Sequence, residues 1–406
     1  MRTGAKGLPF LLLVFEWLSK FYQNYLAKLR IIDRITNIFL IINGLNMPRD
    51  IIIDSVNVDS KCWVVRSGVR YRYAAEFYDG GFVATGHLDN YDLAHDLFDN
   101  NLDYANLAEH IPELDSLVTR NIRTQIENFI LDMKVGDVVF TMDGRSIIPG
   151  VIKSEPYLSL DAISQNDRFC VRRTVEWGQP INRASIPITI QKSFNAYQAI
   201  FSLGNNSKEI FHWLLSFFIW EGSYYGSLRV EQPHAIKHHS LKQLSELIDR
   251  IQVLSLLIGE HVDNNLDTEF NLTFDELQRA MERFSESGEL NLTVQQMLMS
   301  PGDLWLKFTS QSRAAGIAFF CALLAVSSPA ASLTFVDQEY NDNIAVISEI
   351  VNANRDTIFE GIDVAGVKRQ LILDAGDQNS EFVASEPTKN PDEEFPEDGE
   401  PRHVGG

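Results

Sequence analysis

Between residues 62 and 203 short apolar runs of period two recur, most of them bounded by tight turns, and this pattern constrains the fold more than any other feature of the chain. Period two places successive side chains on opposite faces of a sheet. Residues 62–66 read as one strand and 81–85 as the next, after an Asp79-Gly80 turn. Helical spacing then takes over at 91–111 and 114–131, where apolar residues recur at three and four. Strands return at 137–141, at 146–153 beyond the Met142-Asp143-Gly144-Arg145 turn, at 169–177 and at 199–203. Short strands, two interposed helices and glycine turns predict an α+β domain over 47–204, built on a small β-barrel.

The flanks differ in character. Residues 1–46 carry an apolar run at 8–15, then helical spacing with six basic groups against two acidic ones. This is either a basic amphipathic segment or a non-native extension ahead of Met47. After Gly204 the pattern is mixed and mainly helical, an α/β region over 205–373. Aromatics crowd 211–220, a strand is expected at 224–231 and an amphipathic helix at 240–259. Thr273-Phe-Asp-Glu276 has the form of a capping box opening a helix, and 290–294 and 304–308 are strand-like. The tail, 374–406, holds ten acidic and two basic residues and is expected to be disordered, because it can bury little apolar area against the entropy of ordering.

The net charge of −20 argues against a broad electrostatic clamp on duplex nucleic acid. Its distribution matters more: +4 over 1–46, −6 over 47–204 and −18 over 205–406. Cys62, Cys170 and Cys321 are far apart and unpaired in pattern, which fits buried thiols in a reducing compartment rather than a disulfide framework or a cysteine-rich zinc site.

Five motifs occur in one order. They are Trp63-Val-Val-Arg66-Ser-Gly68; Gly81-Phe-Val-Ala-Thr-Gly86-His87; Met133-Lys-Val-Gly136-Asp137; Gly150-Val-Ile followed by Pro156-Tyr157; and Arg172-Arg173-Thr-Val-Glu-Trp177. Together they resemble the PUA-like (EVE-like) domain at the N-terminus of Mrr-type restriction endonucleases, with His87 standing where that family usually has Trp. The resemblance implies a pocket that reads a modified, flipped or unpaired base of DNA or RNA, in a setting of prokaryotic defence. Stacking on aromatic faces and hydrogen bonds to the base edge offset the cost of extrusion. On this resemblance Trp63, Tyr71, Tyr73, His87, Tyr157 and Trp177 are the candidate base-binding residues. Arg66, Arg70, Arg72, Arg172 and Arg173 are the candidates for phosphate. The competing expectation for Trp63 and Trp177, which alternate within strands, is the barrel core.

No enzyme signature accompanies these motifs. The D…(D/E)-x-K nuclease pattern has no counterpart after residue 204; the nearest string, Asp363-Val-Ala-Gly-Val-Lys368, lacks the paired carboxylate. Phosphate-loop and G-x-S-x-G patterns are absent too, so no catalytic residue, cofactor or metal is assigned. His234 and His238 are four apart beside His239, but solvated histidines are the default for such a polar stretch. The uncharged run 314–336 is long enough to span a bilayer, yet its second half holds Ser327, Ser328 and Pro329. It is either a membrane segment or a buried helix ending at Ser327 followed by a loop and a strand. Two functions follow: a base reader, cytoplasmic or associated with the inner membrane, coupled to a non-nuclease effector, or a protein-interaction or membrane scaffold whose barrel no longer binds bases. Either would engage a second copy or a protein partner through its C-terminal half.

Overall fold

The computed structural model describes residues 50–57, 59–89, 120–159, 161–164, 167–230, 235–264, 270–297, 302–329, 331–371 and 373–374. The segment 1–46, the helix expected at 91–111, the start of that expected at 114–131, His234 and the tail beyond Asp374 lie outside the described residues. The described residues, all from Asp50 onward, form one compact unit with both helices and sheets, an α+β fold.

In chain order the elements begin with β1 (Asp50–Ile53), β2 (Cys62–Val65), α1 (Ala74–Gly80) and β3 (Phe82–Thr85). Next come α2 (Arg120–Glu127), which runs on through a π-helical turn (Asn128–Asp132), β4 (Val138–Met142), β5 (Ser146–Ile152), β6 (Tyr157–Leu158), β7 (Val171–Trp177), β8 (Ile181–Asn182) and β9 (Ile200–Ser202). The C-terminal elements are α3 (Ser207–Leu214), β10 (Phe217–Trp220), β11 (Ser223–Val230), α4 (His238–Asp263), α5 (Phe274–Ser287), β12 (Thr293–Met297), β13 (Gly302–Thr309), α6 (Arg313–Ser327), β14 (Ser332–Phe335), α7 (Ile344–Ala353), α8 (Val364–Leu371) and β15 (Leu373–Asp374). Short helical turns join several of them.

Strands β3-β7-β5-β4-β2-β9 form a curled half-barrel, with β6 on β7 and β8 on β5. Every pairing in it is antiparallel except β2 with β4. Both faces of β2, β3 and β4 are buried. Trp63, Val65 and Val139 belong to one core with Phe77, Phe129 and Ile152. Cys62, Val64 and Phe140 belong to another, which also holds Phe211, Trp213, Phe218 and Trp220 of α3 and β10. Packing is therefore continuous across Gly204. β1 crosses further still: it pairs in parallel with β14, Asp50 opposite Ser332.

The second sheet runs β10-β11-β13-β12, with β15 on β11, and α4 and α6 pack in its core. Here the run 314–336 resolves into the buried-helix alternative. Every residue from Ala314 to Val326 is buried inside the protein. Helix α6 has 15 residues, or roughly 22 Å at 1.5 Å per residue, short of the ~30 Å hydrocarbon layer. No helix among the described residues is long and apolar enough to cross a membrane. Small residues let α6 approach its neighbours: a Cβ at Gly316 would lie 2.0 Å from the Tyr224 ring, and one at Gly259 of α4 would lie 2.8 Å from Ala315. The Thr273 capping box is present, with both reciprocal bonds to Glu276.

Candidate nucleic-acid interface

Several motif residues turn out to hold one another. The Trp63 indole N–H donates to the buried Asp137 carboxylate at 2.7 Å. Asp137 also accepts the backbone N–H groups of Lys61 and Lys134, each at 2.9 Å. The W-x-V-R and M-K-x-G-D motifs are thus two ends of one hydrogen-bonded hub. Trp177 donates its indole N–H to the Phe77 carbonyl at 2.8 Å, and its ring occupies the space that a side chain at Gly150 would need. Trp63 belongs to the barrel core and Trp177, partly buried, packs against it, each with its indole N–H donated within the fold.

Tyr73 is similar. It is buried, edge-on to Phe169 at 5.5 Å, and its hydroxyl bonds Asp167 and Ser164. Arg172 is buried with its guanidinium over Phe82 at 4.4 Å, donating to the Phe169 and Asp161 carbonyls. Arg173 is 0% exposed and donates to the carbonyls of Phe129, Ile130 and Ser154 at 2.8, 3.1 and 3.1 Å. All three guanidinium nitrogens of Arg173 donate inside the fold, and Nε and Nη2 of Arg172 do the same. Tyr157 is 37% exposed on β6, opposite Arg172. His87 is half-buried, its Nε2 3.3 Å from Gln125 Oε1.

The remaining candidates, Arg66, Arg70, Tyr71 and Arg72, lie at the rim of the barrel, at the end of β2 and in the loop after it. Arg70 and Tyr71 are consecutive non-glycine residues in the left-handed region, with φ of 56° and 60°. Such backbone costs on the order of 1–3 kcal/mol per residue and persists only where its surroundings fix it. Here a Cβ at Gly68 would lie 2.9 Å from the Tyr73 ring, and the Tyr73 N–H donates to the Ser67 carbonyl at 2.9 Å, which closes the 68–72 loop. Arg70 is exposed, and Arg72 is exposed beside Asp167 at 3.6 Å. The Tyr73 hydroxyl, ahead of Asp167, pushes the Arg72 guanidinium above its ordinary value and keeps it charged.

Arg66 lies 5.8 Å from the Tyr71 ring and donates to the Ala196 carbonyl, while its buried Nε has no hydrogen-bond partner among the described residues. Ala196 precedes Tyr197, which is fully exposed. A Cβ at Gly144 would lie 3.7 Å from the Tyr71 ring, and Arg145 follows it in the turn. The Arg183 backbone N–H donates to the Arg145 carbonyl at 3.0 Å, and its side chain reaches Asn195 at 2.8 Å. These contacts link Arg66 to the Tyr71 ring and to the residue before Tyr197, and Arg183 to Arg145 and to Asn195, two residues before Tyr197. Sequence reading had passed over Arg145, Arg183 and Tyr197, which sit in turns without periodicity. The available signal was Arg145 and Arg183 in turns and the Asn195-Ala-Tyr197 string.

Exposed tyrosine rings and guanidinium groups can stack on planar rings and hydrogen-bond anions. Burial pushes the Cys62 and Cys321 thiols up to about 12 and that of Cys170 to about 11, so none is a ready nucleophile. Among the described residues no group of three or more His, Cys, Asp or Glu is placed to hold a metal. A family model described as a domain of unknown function (DUF8426) matches residues 63–203, the block from β2 to β9. No curated protein and no solved structure matches the chain.

Proposed function

We propose that residues 62–203 are a PUA-like module that reads one unpaired, flipped or modified base of DNA or RNA, and that the C-terminal region couples this to a non-nuclease effector or assembly role in prokaryotic defence. Tyr71 and Tyr197 would receive base faces, and Arg66, Arg70, Arg145 and Arg183 the flanking phosphates. The observation that carries the reading is the strained pair Arg70–Tyr71, joined through Arg66 to the segment that carries the fully exposed Tyr197. Backbone strain of this kind collects at functional sites, and an exposed aromatic among cations suits single-stranded nucleic acid. Val69, 75% exposed next to Arg70, equally favours a protein partner; that is the second reading.

Fluorescence anisotropy with single-stranded DNA and RNA, with and without modified cytosines, separates the two. Binding should weaken for Tyr71→Ala and Tyr197→Ala by about 1–3 kcal/mol each. For Arg70→Met the salt-dependence slope should fall by about 0.7, the value for one lost single-strand phosphate contact. Equal affinity of all variants, or no binding to any oligonucleotide, sinks the reader proposal and leaves the protein-interaction surface.

A further inference from the structure

A cavity of about 300 Å³ lies on the C-terminal sheet, remote in sequence from the rim. Helix α3 supplies Lys208, Glu209 and His212 to its wall, β11 supplies Tyr225, and β13 supplies Trp305 and Lys307. The register explains the convergence: Tyr225 is opposite Lys307 and Ser227 opposite Trp305, all on one face of the sheet. His212 lies flat on Trp305, centroids 4.9 Å apart, and its Nδ1 bonds the Ser227 hydroxyl at 2.9 Å.

Three of these wall residues each keep a buried polar atom with no hydrogen-bond partner among the described residues: Glu209 Oε2, Tyr225 Oη and Trp305 Nε1. Tyr225 and Trp305 are each 3% exposed. Leaving such an atom unmet costs about 1–3 kcal/mol, and native proteins hold few of them. Three around one cavity are what a wall built for a missing partner would show. They provide one acceptor and two donors, and Lys208 and Lys307 add two positive charges. The cavity is near the lower end of the ~300–1,000 Å³ common for ligand sites.

We propose that this cavity binds a single nucleotide: Glu209, Tyr225 and Trp305 take the edge of its base, and Lys208 and Lys307 its phosphate. A base edge offers carbonyl or ring-nitrogen acceptors to the phenol and indole and an N–H to the carboxylate. A dianionic phosphate calls for more than one cation. The site is separate from the barrel rim and stands whether or not the rim reads a base.

The test titrates the full chain with the four ribonucleoside monophosphates and with inorganic phosphate, by calorimetry and by quenching of tryptophan fluorescence. At least one monophosphate should bind at submillimolar concentration and more tightly than inorganic phosphate. Tyr225→Phe, which keeps the ring, and Glu209→Gln, which keeps the shape, should each weaken it about tenfold, the worth of one buried hydrogen bond. No binding of any monophosphate, or equal affinity in both variants, overturns the proposal. So does phosphate binding as tightly as the nucleotide, or loss of nucleotide binding on Tyr197→Ala, which would put the ligand at the rim.

Discussion

Arg173 gives the sharpest test of which motif residues are structural. Its side chain is wholly buried and donates to three carbonyls, those of Phe129 and Ile130 in the π-helical turn and that of Ser154 after β5. Arg173→Met fills similar space but leaves all three acceptors unpaired. At about 1–1.5 kcal/mol for each, the loss is roughly 3–5 kcal/mol. The Glu155 carboxylate, 3.5 Å away and half exposed, adds little. That is a large share of the 5–15 kcal/mol typical of a folded protein, and it shifts the melting temperature on the order of 10 °C. Urea unfolding followed by tryptophan fluorescence measures it, since Trp63 and Trp177 share this core. The control is Arg70→Met, exposed on the rim, which should move the transition by less than about 0.5 kcal/mol. If Arg173→Met unfolds like the parent while losing oligonucleotide affinity, the guanidinium contacts phosphate and the burial argument is wrong.

Three further outcomes follow from the packing and its titratable groups. Burial, and then the charge of Lys208, push His212 down to about 3. The unfolded chain therefore takes up a proton below about pH 6.5 that the folded one refuses, and stability falls with pH by up to roughly 1.4 kcal/mol per unit. His212→Phe should flatten that slope between pH 7 and 5 in urea titrations; an unchanged slope refutes the assignment. Gly316→Ala places a methyl within 2.0 Å of the Tyr224 ring, and thermal melting should show a loss of about 1–3 kcal/mol or more. Thr273→Ala removes the capping box that opens α5, so the same assay should register about 1 kcal/mol; no change would mean that tertiary packing alone sets the end of the helix.

The barrel strands were legible because period two and glycine turns are local signals. The roles of the motif residues were not, since alternation separates two faces only when one of them is wet. In β2 all four residues are buried, so the position of Trp63 in the alternation said nothing about pocket or core. Arg172 and Arg173 fall on opposite faces of β7 and both are buried, although Thr174 and Glu176 on the Arg172 face are exposed, where two arginines in a strand ordinarily imply at least one exposed. The run 314–336 was ambiguous for a related reason: an internal helix packed on all sides has the composition of a membrane helix, and only Ser327 to Pro329 marks its end. Pairing of β1 with β14 joins residues 282 apart, and no local pattern encodes it.

Both candidate sites illustrate how charge can mislead when read as a total. The chain carries −20, yet contacts at the rim link loops that carry four arginines, at 66, 70, 145 and 183, which no single window of sequence contains. Screening at physiological salt limits an exposed charge to about 8 Å. A ligand at the rim therefore meets the nearby guanidinium groups, while acidic residues beyond that distance are largely screened from it. The same holds at the cavity, where Lys208 and Lys307 come from segments a hundred residues apart but line one space. Net acidity thus bears on broad, sequence-independent duplex binding, which sums many phosphate contacts. It has little force against a site that engages one base and its neighbouring phosphates, and the salt slope of oligonucleotide binding discriminates between them: a slope near that of two to four contacts fits the rim, whereas one of eight or more requires a surface that the described residues do not present.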